Sequence, residues 1–413
     1  MDSTDTRVPP GPPRRRRWPV LAPVAAAALI AALAITLALV RDMPSGRVAA
    51  PASAAASATS ASTPGGTPVT DAVPGYYVAL MPAGTPSLAV VNAVTGKRFA
   101  TIASPPGVRL EAVYGTAADN RTFIAAGQAT PAAGGGTIWY LLQIAPGSTG
   151  QVVRFGALPI PVNHQVAGAA LSPDGTELAV AQPGSPATLQ VYSVATGTLL
   201  HAWTTKTPGQ ITVVPGQTDS WQLSTVALRW SADGQQLGFA WNGSAIRVLD
   251  ASAPDGDLVG SSRSLSTIGI VYATLGSFSC DAAQGWQLIQ QGQGVVCAGS
   301  TEQDNYHSCG ANGKGCSYVQ RFAVGFYRQT SVSGSGTELT TLNSVPTTES
   351  QAKSGHGAYL GWANDDASTL IGSLVPNGTT RFGIFRGSKF TPYPALLVPL
   401  LAPAGAMPGI VAW

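Results

Sequence analysis

Cysteines and histidines are the residues of this chain best suited to chemistry, because thiolate and imidazole groups act as nucleophiles, bases and metal ligands. Cys280, Cys297, Cys309 and Cys316 lie in one stretch, which also contains His307. A zinc site could use these groups, but the stretch lacks a Cys-x-x-Cys pair. In an exported protein, an even and clustered set of cysteines instead predicts two disulfides. Of the possible pairings we favour Cys280 with Cys297 and Cys309 with Cys316, because glycines between the last two suit a short closed loop.

Catalytic motifs are hard to find elsewhere. A serine hydrolase needs a Gly-x-Ser-x-Gly elbow, and the sequence after residue 74 contains no such pentapeptide. The glycines at 134–136 precede the apolar run TIWYLLQI without a helix pattern, so they lack the helix amino terminus that holds a phosphate. His201 lies in the run LLHAW, which favours a packed or edge position. The sequence predicts no catalytic residue, metal site or cofactor, and it favours a binding protein over an enzyme.

Aspartates recur in a repeated pattern of two apolar runs around a polar turn, as in LSPDGTELAV and RWSADGQQLGFA. The turns centre on Asp119, Asp174, Asp233 and Asp366. Carboxylates can bind a cation, but an aspartate in such a turn caps it by accepting backbone N–H groups. Each aspartate belongs to a different repeat, so the four carboxylates are not expected to converge on one ion. We interpret them as structural residues of hairpin turns.

A second hairpin follows the first in these repeats. LQVYSVATGTLLHAW, residues 189–203, and LAVVNAVTGKRFATI, residues 88–102, each place a Thr-Gly turn between two apolar strands. Two hairpins in series give four antiparallel strands, which make one blade of a β-propeller. The sequence therefore predicts an all-β propeller of four-stranded antiparallel blades. The repeats indicate six blades, and the divergent region at 261–350 leaves seven as the alternative.

The segment SPDGTELAV, followed by VYSVATG, resembles the repeats of WD-repeat-like and TolB-like bacterial β-propellers. The resemblance extends over most of residues 75–413. It implies a rigid scaffold that binds a partner, and it implies no particular reaction, because the same fold serves unrelated functions.

The two ends of this region look like parts of one blade. PGIVAW, residues 408–413, is similar to a first strand, and GYYVALMP, residues 75–82, is similar to a second strand. We therefore expect the carboxyl-terminal strand to pair with the amino-terminal strands and close the ring. By the same alignment Trp230, Trp362 and Trp413 occupy equivalent ends of first strands, which favours packing between blades.

The amino-terminal residues differ in composition from the rest. RRRR precedes residues 18–40, which carry no formal charge and as a helix would span roughly 34 Å, enough to cross a bilayer. The positive-inside rule then keeps residues 1–17 in the cytoplasm as a basic stub and exports the rest of the chain. Residues 41–74 are rich in Ala, Ser, Thr and Pro and predict a flexible linker. The alternative is a cleaved signal peptide, because PASAAASA at 51–58 is similar to a cleavage site.

Charge and predicted localisation limit the classes of function that this chain can have. Residues 75–413 contain equal numbers of basic and acidic residues, which argues against a nucleic-acid-binding face. The sequence thus predicts a single-pass cell-membrane protein whose extracytoplasmic propeller binds an unknown protein or envelope ligand. One alternative is a propeller lyase or hydrolase acting on cell-envelope substrates. Another is an accessory component of a transmembrane signalling complex.

The longest insertion in the repeats, residues 281–316, is the candidate binding loop. It contains Trp286, Tyr306 and His307 among the cysteines. Aromatic side chains on loops are common anchors for partners, and a disulfide-held loop loses less entropy on binding. The alternative is that the disulfides only stabilise a divergent blade.

Overall fold

Short apolar strands and polar turns build the part of the chain that is described by the computed structural model. That part comprises residues 73–81, 86–130, 136–147, 149–161, 166–182, 186–206, 228–241, 245–267, 271–273, 276–280, 285–307, 317–332, 336–347, 358–374, 381–393 and 411–413. These residues belong to one compact unit, Gly66–Trp413. The predicted stub, membrane segment and most of the linker lie outside them. Within the described ranges, no helix has the length and apolar character needed to cross a bilayer.

The described strands form six sheets, which are the six blades of a propeller. Blade 1 contains β1 (Tyr76–Met81), β2 (Ser87–Asn92) and β3 (Arg98–Ala103). Blade 2 contains β4 (Val108–Thr116), β5 (Thr122–Ala129), β6 (Thr137–Ile144) and β7 (Val152–Ala157). Blade 3 contains β8 (Gly168–Leu171), β9 (Glu177–Gln182), β10 (Thr188–Ser193) and β11 (Leu199–Thr204). Blade 4 contains β12 (Leu228–Trp230), β13 (Gln236–Trp241), β14 (Ala245–Asp250) and β16 (Ser262–Thr267). The short strand β15 (Gly256–Asp257) lies between β14 and β16 in sequence but pairs with β11 of blade 3.

The later blades follow in chain order. Blade 5 contains β17 (Val271–Ala273), β18 (Gly276–Cys280), β19 (Trp286–Ile289), β20 (Gly294–His307), β21 (Ser317–Val332) and β22 (Gly336–Thr347). Blade 6 contains β23 (Ala358–Ala363), β24 (Thr369–Leu374), β25 (Arg381–Arg386) and β26 (Lys389–Pro392). Finally β27 (Val411–Ala412) returns to blade 1 and pairs with β1.

The divergent region forms a single blade with unusually long strands. Strand β20 pairs with β19 along its first residues and with β18 further on, while β21 runs along its other side. The extra residues of this region therefore lengthen the β20–β21 hairpin and form β17 and β18 in the same sheet. They do not form a seventh blade. The six-bladed prediction is confirmed for the described strands, and the seven-bladed alternative is wrong.

The hydrophobic core consists of apolar layers between neighbouring blades. Six clusters of buried residues occur among the described residues, and each joins two adjacent sheets. Both faces of a blade are therefore buried, so its strands read as almost continuous apolar runs, such as YYVALM in β1 and TLIGSL in β24. Because a single blade would expose both faces, its stability depends on its two neighbours.

The seam between blades 6 and 1 joins the two ends of the propeller. Val411 and Ala412 of β27 stand opposite Ala79 and Val78 of β1 in an antiparallel ladder. The predicted ring closure by the carboxyl-terminal strand is therefore present.

The last residue of the chain fills this seam. Trp413 stacks on Tyr393, with ring centroids 5.6 Å apart, and lies 4.9 Å from the ring of Tyr77. Its indole also packs on the backbone of blade 6, where a Cβ added at Gly361 would lie only 2.5 Å from Trp413 Nε1. The absence of a side chain at residue 361 thus permits the contact.

The aspartate turns share one hydrogen-bond pattern. In the Ser-x-Asp-Gly turn of blade 3, Ser172 Oγ and Thr176 N donate to Asp174 Oδ1 at 2.6 and 3.0 Å, and Gly175 has a positive φ of 75°. Asp233 accepts the same bonds in blade 4, from Ser231 Oγ at 2.6 Å and the amide of residue 235 at 3.1 Å. These contacts are those of turn caps.

The degenerate turns keep this pattern with other residues. Asp119 accepts the amide of residue 121 at 2.8 Å, with Asn120 taking the positive φ of the glycine. Asp366 accepts the amide of residue 368 at 2.8 Å, and Ala367 takes the positive φ. The amide oxygen of Asn364 replaces the serine hydroxyl by accepting a backbone N–H at 2.8 Å.

We expect Gly361→Ala to lower the free energy of unfolding by about 1–3 kcal/mol, because the new methyl group would overlap the Trp413 indole. Urea titration of the full-length chain in detergent measures the change. Gly115→Ala is a matched control, since both glycines lie at a β-bulge of a first strand and a Cβ at Gly115 meets nothing within 4 Å. Equal stability of the two variants would contradict the proposed role of the seam.

We expect Asp174→Asn to cost about 1 kcal/mol of unfolding free energy at pH 7. Burial alone would raise the pKa of Asp174, but hydrogen bonds from Ser172 and Thr176 outweigh it and lower the pKa. A lowered pKa stabilises the fold at pH values above the unfolded-state pKa of about 4, and this contribution disappears as the pH falls through the folded-state pKa. The cost of the substitution should therefore shrink at pH 3. The exposed Asp255→Asn variant is the control and should stay within about 0.5 kcal/mol at pH 7.

Candidate functional site at the channel mouth

A cavity of about 150 Å³ opens at the end of the central channel where the aspartate turns lie. It is lined by the first strands of all six blades, namely β27, β4, β8, β12, β19 and β23, and by the turns that follow several of them. Most of the lining is small or apolar. The ionisable residues in the described lining are Arg229, Tyr359 and Asp365.

Arg229 places a positive charge in the wall of this cavity. It is the middle residue of β12, between the buried Leu228 and Trp230. Its Nε donates to the carbonyl oxygen of Trp286 in blade 5 and its Nη1 to that of Leu228, both at 3.2 Å. Burial lowers the pKa of Arg229, and interaction with Tyr359 opposes that shift. A guanidinium stays protonated in proteins, so this side chain carries its charge in a site largely removed from water.

Tyr359 lies on the first strand of blade 6 and lines the same cavity as Arg229. Burial raises the pKa of the Tyr359 phenol, and the positive charge of Arg229 opposes the rise. The net shift is upward, so the phenol is neutral at physiological pH. Arg229 of blade 4 and Tyr359 of blade 6 therefore combine a cation with a neutral hydroxyl.

Asp365 contributes to the lining of the cavity, but it accepts hydrogen bonds from blade 5. Its Oδ1 accepts the amide of Gln291 at 3.1 Å, and its carbonyl oxygen accepts the amide of Gln290 at 2.8 Å. Gln290 and Gln291 both have positive φ in a turn that has no aspartate of its own. Asp365 and Asp366 are neighbours in sequence, but the structure separates their roles, since Asp366 caps the turn of blade 6.

Three tryptophans at the mouth occupy different environments. Trp230 and Trp413 are buried, and Trp230 Nε1 donates to the carbonyl oxygen of Ala170 in blade 3 at 3.0 Å. Trp413 Nε1 is buried and has no acceptor among the described residues. Trp362 follows a β-bulge at Gly361 and is only half-buried in the cavity wall. All three tryptophans line the cavity, and the bulge leaves Trp362 more exposed there than Trp230 and Trp413, which are buried.

The predicted candidate binding loop is mostly strand. Trp286 begins β19, is 1% exposed and packs in the layer between blades 4 and 5. The interpretation of Trp286 as an exposed anchor is therefore wrong, because it lies on a first strand with blade 4 against it. Tyr306 and His307 end the long strand β20, opposite Tyr318 and Ser317, and their side chains lie outside the described residues. The structure does not bring Trp286 together with the other two.

Among the cysteines, Cys297 is buried in β20 and is disulfide-bonded. Cys280 stands opposite Gly299 in the ladder between β18 and β20, two positions from Cys297 along β20. The side chain of Cys280, and Cys309 and Cys316 altogether, lie outside the described residues, so the pairing stays a prediction. No group of three His, Cys, Asp or Glu side chains suited to a metal ion occurs in the described ranges.

His201 lies on the outer strand β11, away from the channel. Its ring stacks on Trp203 with centroids 5.5 Å apart, and its Nδ1 lies 3.2 Å from Asp255 Oδ1. This is the edge position expected from the sequence.

Sequence reasoning missed Arg229 and Asp365 as residues of the channel mouth. An arginine in the otherwise apolar first strand ALRW was the available signal for Arg229, because an isolated charge at such a position must be accommodated by its surroundings.

Comparison with known proteins finds relatives in structure only. No family model and no curated protein matches the chain. A candidate TolB from Agrobacterium tumefaciens is 12% identical, with a TM-score of 0.42 over 76% of this chain and 88% of its own. The β-propeller domain of Cps50 (Swd1) from Myceliophteria thermophila is 11% identical, with a TM-score of 0.37 over 77% of this chain and 82% of its own. At such identities the likeness concerns the fold alone. The strand pairing described above makes the chain a β-propeller, as the resemblance to TolB-like and WD-repeat-like propellers implied.

Proposed function

We propose that this chain is a membrane-tethered, extracytoplasmic β-propeller that binds a protein or cell-envelope ligand at its channel mouth. The observation that carries the proposal is the cavity itself, which is lined by all six blades and combines aromatic and small apolar residues with one guanidinium. Trp and Arg are enriched among the residues that dominate binding at protein interfaces. A closed ring also holds such residues in fixed positions, which lowers the entropy lost when a partner binds.

The tether rests on the sequence of residues 18–40 and on the arginines before it. The compartment has further support from Cys297, because structural disulfides persist in oxidising compartments. We infer Cys280 as the partner of Cys297, and the pairing of Cys280 with Gly299, two positions from Cys297 along β20, supports this inference. Cys309 and Cys316 would then form the second bridge.

We predict that a reporter enzyme fused after residue 74 is active only outside the cytoplasm. Replacement of Arg14 to Arg17 by neutral residues should reduce this activity, because the positive charges hold the amino terminus inside. Two reporters, one active in each compartment, make the measurement. Cytoplasmic activity of the unmutated fusion would contradict the tethered, exported topology.

We predict that Trp362→Ala lowers the recovery of the partner by about tenfold when the full-length, tagged chain is purified from detergent-solubilised membranes. The reason is that Trp362 is a half-buried aromatic residue with a large surface in the cavity wall. Val153→Ala is the control, because Val153 is 59% exposed on the outer part of blade 2. A protein recovered equally with both variants would place binding away from the channel mouth.

A further inference from the structure

The outer turns of the blades differ in charge around the ring. In an antiparallel blade of four strands, the turn between the third and fourth strands lies at the same end as the turn between the first and second. These outer turns are therefore at the end of the propeller that carries the channel mouth, but further from its axis. They join β2 to β3 in blade 1, β6 to β7 in blade 2 and β25 to β26 in blade 6.

Basic side chains are concentrated on the outer turns of blades 6, 1 and 2, which are consecutive in the ring. These turns and the strand ends beside them contribute five exposed cations, which we call the basic crescent: Arg386, Lys389, Lys97, Arg98 and Arg154. None of the five forms an ion pair with a carboxylate in the described part of the chain.

The carboxylates at this end of the same three blades do not neutralise the crescent. Asp119, Asp365 and Asp366 lie in the turns between first and second strands, closer to the channel. Each of them accepts a backbone amide there. The crescent therefore keeps its positive charge toward solvent.

The opposite side of the ring carries the reverse charge. The outer turn of blade 4, residues 251–261, contains Asp255 and Asp257 and no basic residue. Asp255 forms the ion pair with His201 on the edge of blade 3. The zero formal charge of residues 75–413 is thus the sum of a basic edge and an acidic edge on opposite sides of the propeller.

The cations of the crescent lie close to one another. Arg386 and Lys389 stand directly opposite in the ladder of β25 and β26, where like charges repel. In blade 1, Lys97 Nζ lies 5.7 Å from the centre of the Phe99 ring, and that ring packs on Gly150 in the outer turn of blade 2. The basic groups of neighbouring blades therefore adjoin, and an extended anionic surface relieves their repulsion.

The chain enters the propeller within this crescent. Pro74 lies two residues before β1 of blade 1, and the proposed membrane segment, residues 18–40, precedes it in sequence. Val94, in the outer turn of blade 1, is 62% exposed. Basic residues beside an exposed apolar side chain suit the interface of a bilayer. Each Lys or Arg near anionic headgroups strengthens such binding by about fivefold.

We propose that the basic crescent binds the surface of an anionic lipid bilayer, the membrane in which residues 18–40 are proposed to anchor the chain. The choice of a bilayer rests on that proposed tether, and the inference goes beyond the ligand site because it concerns the orientation of the propeller. Blades 6, 1 and 2 face the headgroups, and the acidic edge of blade 4 faces away. The channel mouth, at the same end as the crescent, is thereby brought near the bilayer.

Lysine footprinting tests this orientation, because two of the five lysines of the chain lie in the crescent. The full-length chain is placed in nanodiscs of phosphatidylcholine alone, or of equal parts of phosphatidylcholine and phosphatidylglycerol. Mass spectrometry then measures how fast an amine-reactive reagent labels each lysine. Lys97 and Lys389 should react at least about threefold more slowly in the anionic discs. This protection should decrease in about 1 M salt, which screens surface charge.

Lys206 is the internal control, because it is exposed on the edge of blade 3, outside the crescent. It should react equally fast in both kinds of disc. Equal labelling rates of Lys97 and Lys389 in the two discs would overturn the proposal.

Charge reversal tests the residues. Arg98→Glu should weaken the association with anionic discs by at least about fivefold and restore the labelling of Lys97 and Lys389. Lys206→Glu makes the same change in net charge outside the crescent and should leave their protection intact. An equal loss with both variants would assign the effect to net charge and overturn the crescent. If Arg98→Glu fails to fold, Arg386→Glu and the comparison of the two lipids on the unmutated chain decide the question.

Heparin serves as the probe for a soluble polyanion. Protection of Lys97 and Lys389 by heparin, without protection by anionic lipid, would overturn the assignment to a bilayer and indicate an acidic polymer instead. The crescent and the proposed function fail separately. A chain that stays in solution without detergent would contradict the anchor alone, and vesicles of the two lipid compositions added to it repeat the test of the crescent. Partner recovery in detergent depends on the channel mouth, so Arg98→Glu should leave it unchanged.

Discussion

The apolar packing between neighbouring blades is the interaction on which the rest of this structure depends. Each blade buries both faces, so no sheet can be stable until two neighbours cover it, and the last blade needs the first. In the described part of the chain, Val411 and Ala412 of β27 form the ladder with β1. The stacked rings of Trp413 and Tyr393 supply apolar contact at the same junction. Large buried side chains therefore contribute to the closure together with this ladder.

The channel mouth depends on this closure, because only a closed ring brings six first strands around one cavity. Polar contacts connect consecutive blades at this end: Tyr76 with Asn120, Ala118 with Pro173, Trp230 with Ala170, Arg229 with Trp286, and Ala363 with Gln287. The junction between blades 6 and 1 is different, since there Trp413 packs on Gly361 and its indole N–H has no acceptor in the described part of the chain. Packing of large side chains is thus the interaction that the described residues show at this seam.

Much of this fold could be predicted from the sequence, because turns depend on local chemistry. The turns of Asp174 and Asp233 require a glycine with positive φ and a side chain that accepts two hydrogen bonds. In each turn these residues lie within six positions of one another in the sequence. Blade 5 could not be predicted in this way, since its turn has no aspartate and takes Asp365 from the next blade. The burial of Trp286 could not be predicted from the local sequence either. A four-residue strand such as β19 is too short for its pattern of apolar and polar residues to indicate which side chains are buried. That burial depends on the neighbouring blade.

Residues that depart from the repeat pattern indicate where the candidate binding site lies, because regular blades are sufficient for a stable propeller. Gly361 introduces a β-bulge into β23, and Trp362 beside it is half-buried in the cavity wall, whereas Trp230 in the same wall is buried. Arg229 likewise places a charge where the other first strands contribute uncharged residues. Neither feature improves the interblade core, and a charge removed from water is unfavourable unless something compensates it. Both occur at the same end of the channel and on strands that share one cavity. Such departures from the structural pattern are expected at functional sites, which is consistent with the binding site proposed above.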